Sequence, residues 1–118
     1  MNDIQVFYDS KSGLGKRFAE RVRDTAQPVS EVPTAACILV TRNVGLGKIP
    51  RTTKRFLARY GDLVRGVVVN GDRRFGKYYC AAGPKIRDEF GIPVLRNIER
   101  DGNDEDVLVV RALLEEMG

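Results

Sequence analysis

Ser10, Ser12, Gly13 and Gly15 crowd into one short stretch, with Lys11 and Leu14 between them and Lys16 directly after. A phosphate monoester needs this set: hydroxyl donors, close backbone approach, and amides left free where a helix begins. Lys11 and Lys16 add positive charge. The same residues would also make a tight, well-capped strand-to-helix turn with no ligand. A nucleotide-hydrolase loop is excluded by spacing, because Ser10 stands where glycine is required and Arg17 where Ser or Thr is required.

Two later loops have matching character. Thr41, Arg42, Asn43 and Gly47 lie in a stretch rich in glycine and amide groups, which can offer donors to the polar edge of a ring. The apolar run Val67, Val68, Val69 breaks into Asn70, Gly71, Asp72, Arg73, Arg74, Phe75 and Gly76. There Asn70, Gly71 and Asp72 can hydrogen-bond the rim of a planar ligand, and Phe75 can stack on its face. Phe75 folded back on the core as a loop anchor is the competing reading. Together, phosphate donors in the first loop and ring contacts in the other two describe one site for a mononucleotide with a flat head group.

Such a site requires the three loops to meet. Residues 4–8 read as a strand, and Leu14, Phe18 and Val22 recur with helical spacing, predicting a helix over residues 14–24. A weak strand between Pro28 and Pro33, over 27–32, precedes a buried one at 36–41. Thr53, Phe56, Leu57 and Tyr60 form the stripe of a helix that starts near Pro50 and stops at Gly61. A strand at 65–70 and a helix over 77–90 follow; Pro84 makes that helix irregular at its entry or delays its first regular turn. Residues 92–98 read as a strand whose start is an edge because of Pro93, and Asn103 caps a last helix carrying Val107, Val110, Leu114 and Met117. Apolar strands alternating with amphipathic helices predict a single α/β domain over 1–118. It has three layers and is flavodoxin-like, with a five-stranded parallel sheet in the order 2-1-3-4-5 and helices on both faces. In that order the three loops share the carboxyl edge of the sheet.

Composition narrows the chemistry. The 118 residues include no histidine, so the commonest general base and metal ligand are both missing. Catalysis by a triad and a zinc site are not expected, and the chemistry falls to a bound cofactor. Cys37 lies in an apolar run and reads as a buried thiol, not half of a disulfide. A cytoplasmic protein is expected, since neither a signal peptide nor an apolar run long enough to span a membrane is read here. The net charge of +4 is uneven: Arg42, Lys48, Arg51, Lys54, Arg55 and Arg59 fall within residues 42–61 with no acid among them, and acids gather near the C-terminus. A basic segment favours a phosphate, nucleic acid or an acidic protein face, or is simply solvated. A tyrosine phosphatase reading fails because the first loop has no Cys. A phosphoacceptor receiver fails because Asp9 stands alone and Thr41-Arg42 follows the third strand.

The block from Phe7 to Gly13 with Arg17-Phe18, the block from Arg65 to Gly76, and the block from Glu99 to Val107 resemble the NrdI proteins, the flavodoxin-like stimulators of class Ib ribonucleotide reductase. The resemblance runs nearly the length of the chain. It implies non-covalent FMN, reduced by a separate reductant. The reduced flavin reacts with dioxygen and passes the oxidant to the dimanganese small subunit of the reductase, where the manganese–tyrosyl radical cofactor assembles. By the resemblance, Ser10, Ser12 and Gly13 belong to the phosphate loop, Thr41, Asn43 and Gly47 to the second flavin loop, and Asn70, Gly71, Phe75 and Gly76 to the third. Two positions depart from the family. Leu14 replaces an Asn, and Arg42 or Asn43 replaces a Tyr beside the flavin, where Arg42 can substitute by planar stacking. The competing function is a non-redox binding module of the same fold, its basic segment touching nucleic acid or protein; nucleic acid is not the expected partner.

Overall fold

The helical recurrence of Leu14, Phe18 and Val22 produces α1 (Leu14–Val22), which buries Phe18, Ala19 and Val22. The computed structural model describes residues 3–118. Strands β1 (Gln5–Tyr8), β2 (Gln27–Pro28), β3 (Cys37–Arg42), β4 (Val64–Gly71) and β5 (Val94–Glu99) form one sheet in the order β2-β1-β3-β4-β5, every pair parallel. The helices α2 (Arg51–Tyr60), α3 (Ala82–Phe90) and α4 (Asp104–Met117) complete the chain order.

Central β3 and β4 are covered on both faces, so their runs of β-branched residues are buried throughout. Phe7, Leu39, Val67 and Val69 point to one face and pack with Phe56 and Leu57 of α2 and Ile86 of α3. Val6, Ile38, Val40 and Val68 point to the other, against Phe18 of α1 and Val110 and Leu114 of α4.

Several boundaries differ from the sequence expectation, three of them with a clear local cause. The first helix ends at Val22, not 24, because Arg23 turns extended and its guanidinium donates to the Ile4 carbonyl. The second strand is only Gln27–Pro28: Pro28 offers no N–H, and its carbonyl accepts from Glu31 N at 2.9 Å as the chain turns away. The helix expected over 77–90 starts at Ala82. Before it, Arg73–Tyr78 forms 3-10 turns kinked at Gly76 (φ 55°, ψ −121°), a conformation that glycine alone adopts readily. Pro84 falls in the first turn of α3, where its missing N–H costs little.

The Asn103 cap forms as expected. Its side chain accepts from Asp106 N at 2.8 Å while Asp106 Oδ2 accepts from Asn103 N at 2.9 Å, a reciprocal box worth about 1 kcal/mol. Asp106 also accepts from Arg96 Nε at 2.6 Å, which ties β5 to α4 and fixes the turn between them. Within that turn Arg100 takes φ 58° and donates its backbone N–H to Gly71 O at 2.8 Å. Both cysteines are free and buried, and burial pushes each thiol up to about 11, so both stay protonated at neutral pH. No helix among the described residues is long and apolar enough to cross a membrane.

Candidate cofactor site

The carboxyl ends of β1, β3 and β4 bring three loops around a cavity of about 320 Å³. Ser12 and Leu14 line it from the first loop, Arg42, Asn43 and Gly45 from the second, and Asn70, Gly71, Asp72 and Phe75 from the third. That volume lies at the lower end of the range, roughly 300–1,000 Å³, in which small ligands and cofactors bind.

In the first loop Ser10 Oγ accepts from Gly13 N at 3.0 Å, and Gly13, at φ 91°, turns the chain into α1. The helix has no side-chain cap and no acid in its first turn, so its N-terminal dipole is left for an anion. Lys11 and Lys16 are exposed beside it. Gly15 is buried, and a β-carbon there would stand 3.4 Å from Asn70 Oδ1, so the glycine admits the third loop to the base of the first.

The second loop is held from beneath. Asp9, only 5 % exposed, accepts from Thr52 Oγ1 at 2.5 Å, Thr53 Oγ1 at 2.6 Å and Arg42 Nη2 at 3.4 Å. Thr41 is fully buried and bonds Thr53 at 2.6 Å, so its side chain supports this network and does not reach the cavity. Asn43 donates to Tyr78 O at 2.5 Å and accepts from Ala82 N at 2.8 Å. Its amide therefore ties the second loop to Tyr78 and to the start of α3. Gly47 is buried against Ala81, whose β-carbon would lie 2.7 Å from one added at the glycine, and its carbonyl accepts from Lys85 Nζ at 2.7 Å. It is a packing position.

Phe75 is 64 % exposed on the cavity rim, which removes the core-anchor reading. Asp72 caps the turn that presents it by accepting from Arg74 N at 2.9 Å. The Arg74 side chain grips both Asp72 oxygens, and these hydrogen bonds, followed by the Arg74 and Arg100 charges, hold the Asp72 carboxyl below the usual range. Gly76 kinks the chain behind Phe75 and lies outside the cavity.

Three lining residues escaped the sequence reading: Gly45, Tyr78 and Arg100. Tyr78 gives the cavity a second aromatic, which the second loop lacks. Its signal was an aromatic pair, Tyr78-Tyr79, inside a segment that read as helix.

Two residues of the lining each carry a buried polar atom without a partner among the described residues: Arg42 Nε, a donor, and Asn70 Oδ1, an acceptor. Orphans of this kind cost about 1–3 kcal/mol each when left unmade. A ligand edge presenting both a carbonyl and an N–H would satisfy the pair, and a planar pyrimidine-like edge has both. Among the described residues no cluster of three His, Cys, Asp or Glu could hold a metal ion.

The family model described as NrdI Flavodoxin like matches residues 6–112. A Protein NrdI from Deinococcus radiodurans is 33 % identical, the match covering 94 % of this chain and 82 % of the relative. Among solved structures, a short-chain flavodoxin associated with a non-canonical PDU bacterial microcompartment superposes with a TM-score of 0.73 at 18 % identity, over 98 % of this chain and 95 % of the other. The Fusobacterium nucleatum flavodoxin bound to flavin mononucleotide gives 0.55 at 16 % identity, covering 99 % of this chain and 97 % of that one.

Proposed function

The chain belongs to the NrdI flavodoxin-like family, and on that premise we propose that the three-loop cavity binds FMN non-covalently for work on a ribonucleotide reductase. The observation that carries the reading is a pair of unpartnered polar atoms on side chains that line the cavity, the donor Arg42 Nε and the acceptor Asn70 Oδ1, below an exposed Phe75. The chemistry FMN supplies when bound is uptake of electrons from a reductant and their delivery to dioxygen. The resulting oxidant serves the dimanganese small subunit of class Ib ribonucleotide reductase, where the tyrosyl radical cofactor assembles.

The protein's own residues do the rest. Amides and hydroxyls from Ser10 to Gly15 and the α1 dipole hold the phosphate. Asn70 and Arg42 orient the polar edge of the ring, with Arg42 itself held by Asp9. Phe75 and Tyr78 supply apolar contact and keep water from the ring. Phe75→Ala is expected to weaken FMN binding about tenfold and change the flavin absorption, while the unfolding midpoint of the apoprotein moves little, since the ring is exposed. Unchanged FMN affinity in that variant would remove Phe75 from the site.

Docking to the small subunit falls to the cationic third loop, because the rim of the cavity must seal against the acceptor. Arg73, Arg74 and Lys77 look interchangeable in sequence; in the structure the first two have local duties. Arg74 grips Asp72, and Arg73 pairs with Glu99 at 3.5 Å and covers the Tyr79 ring. Lys77, 5.3 Å from the Tyr78 ring centroid, has no carboxylate partner among the described residues. Lys77→Glu is therefore the cleaner test: it should slow association with the small subunit at low salt and leave FMN bound. The same association rate in both proteins would exclude Lys77 from the contact.

A further inference from the structure

Helix α2 carries a run of like charges that works against its own stability. Its N-cap is Pro50, with no side-chain hydrogen bond, its first turn holds no acid, and Arg51 sits at the positive end of the dipole. Arg51, Arg55 and Arg59 then repeat at every fourth residue, so each like-charged pair faces its neighbour across one turn. All three are exposed, and among the described residues none has a carboxylate within 4.0 Å. Only Lys54 on this helix is paired, with Glu89 at 3.7 Å. Local choices that oppose the helix they sit in mark functional surface.

A second cavity of about 320 Å³ opens beside the stripe. Arg55 and Arg59 flank it, Phe56 and Tyr60 form its apolar wall, and Val29 closes it from the segment after β2. It shares no residue with the three-loop cavity. We propose that this face of α2 docks an acidic segment of another protein, with carboxylates on the arginine stripe and one aromatic or branched apolar side chain in the cavity. The three guanidinium groups start from α-carbons about 6 Å apart along the helix, the spacing of carboxylates four residues apart on a partner helix.

Nucleic acid fits less well. Base stacking needs open aromatic faces, but the Phe56 ring is buried and Arg59 lies over the Tyr60 ring at 5.8 Å. Glu31 adds a negative charge to the cavity wall, which repels a phosphate backbone.

The test uses the full chain saturated with FMN and a fluorescein-labelled helical peptide of about 15 residues, with Glu at every fourth position and one Phe. Anisotropy should report binding that weakens with added salt. It should fall about tenfold or more in Arg55→Glu/Arg59→Glu and persist in Lys77→Glu. Arg55→Glu alone should raise the melting temperature, since it turns two repulsive contacts into attractive ones, while lowering peptide affinity; a purely structural stripe would not separate the two readouts. Equal binding of the peptide with Gln for every Glu, an unaltered affinity in the double variant, or tighter binding of an oligothymidylate of equal length would each overturn the proposal. Peptide binding that is the same with and without FMN is the expected result, so failure of the flavin reading would leave this surface standing.

Discussion

Asp9→Ala is expected to lower the unfolding free energy by about 3 kcal/mol, within the range measured when a buried charge network loses its common partner. The carboxylate is almost fully enclosed and serves Thr52, Thr53 and Arg42 together. Removing it strands two hydroxyls and a guanidinium at the base of the second loop. Thr41, which reaches the network through Thr53, loses its support as well. FMN binding should weaken in the same variant, because Arg42 is no longer held at the cavity wall. Urea denaturation checks the first effect; a loss below about 0.5 kcal/mol would mean that water replaces the carboxylate, as at an ordinary surface position.

Ser12→Asp should have the largest effect on the cofactor, weakening FMN about a hundredfold. A phosphate carries nearly two negative charges at neutral pH, and a carboxylate placed a few ångströms from it is repelled by about 2–3 kcal/mol in a partly solvated site. Stability should move the other way or not at all. Ser12 is exposed, its Oγ is only 3.5 Å from Leu14 N, and an acid just ahead of α1 complements the helix dipole. Opposite signs for affinity and stability separate electrostatic exclusion from unfolding. Flavin fluorescence titration and a thermal melt on one sample supply both numbers, and unchanged affinity would remove the phosphate from this loop.

How far the sequence reaches can be followed residue by residue. Leu14, Phe18 and Val22 announce α1, and the apolar runs announce β3 and β4, because burial on one or both faces imposes a period on the chain. The strand order follows from the alternation of elements and the handedness of crossovers. Ser12, Arg42, Asn70 and Phe75 are legible as residues of one cavity because they sit where strands end. Thr41 and Gly47 come from those same loops, but they serve packing, and position along a loop does not tell which way a residue turns. Phe75 fits two readings in sequence, and its exposure counts against the core anchor. Asp9 joins Thr52 and Thr53 across more than forty residues, a contact that no local pattern encodes. Arg100 reaches the cavity only because the β5–α4 turn holds it at positive φ, which arginine does not advertise.

The most direct test of the flavin site is the map of amide NMR shifts as FMN is added to the apoprotein. Two of the cavities among the described residues have equal volume, and of these two one is built from the three loops. FMN in that cavity should shift the amides of Ser12, Gly13 and Leu14, of Asn43 and Gly45, and of Gly71, Asp72 and Phe75 together, saturating at one flavin per chain. Shifts confined to Val29, Ser30, Glu31 and the Arg55–Tyr60 turn of α2, or no saturable shifts at all, would contradict it.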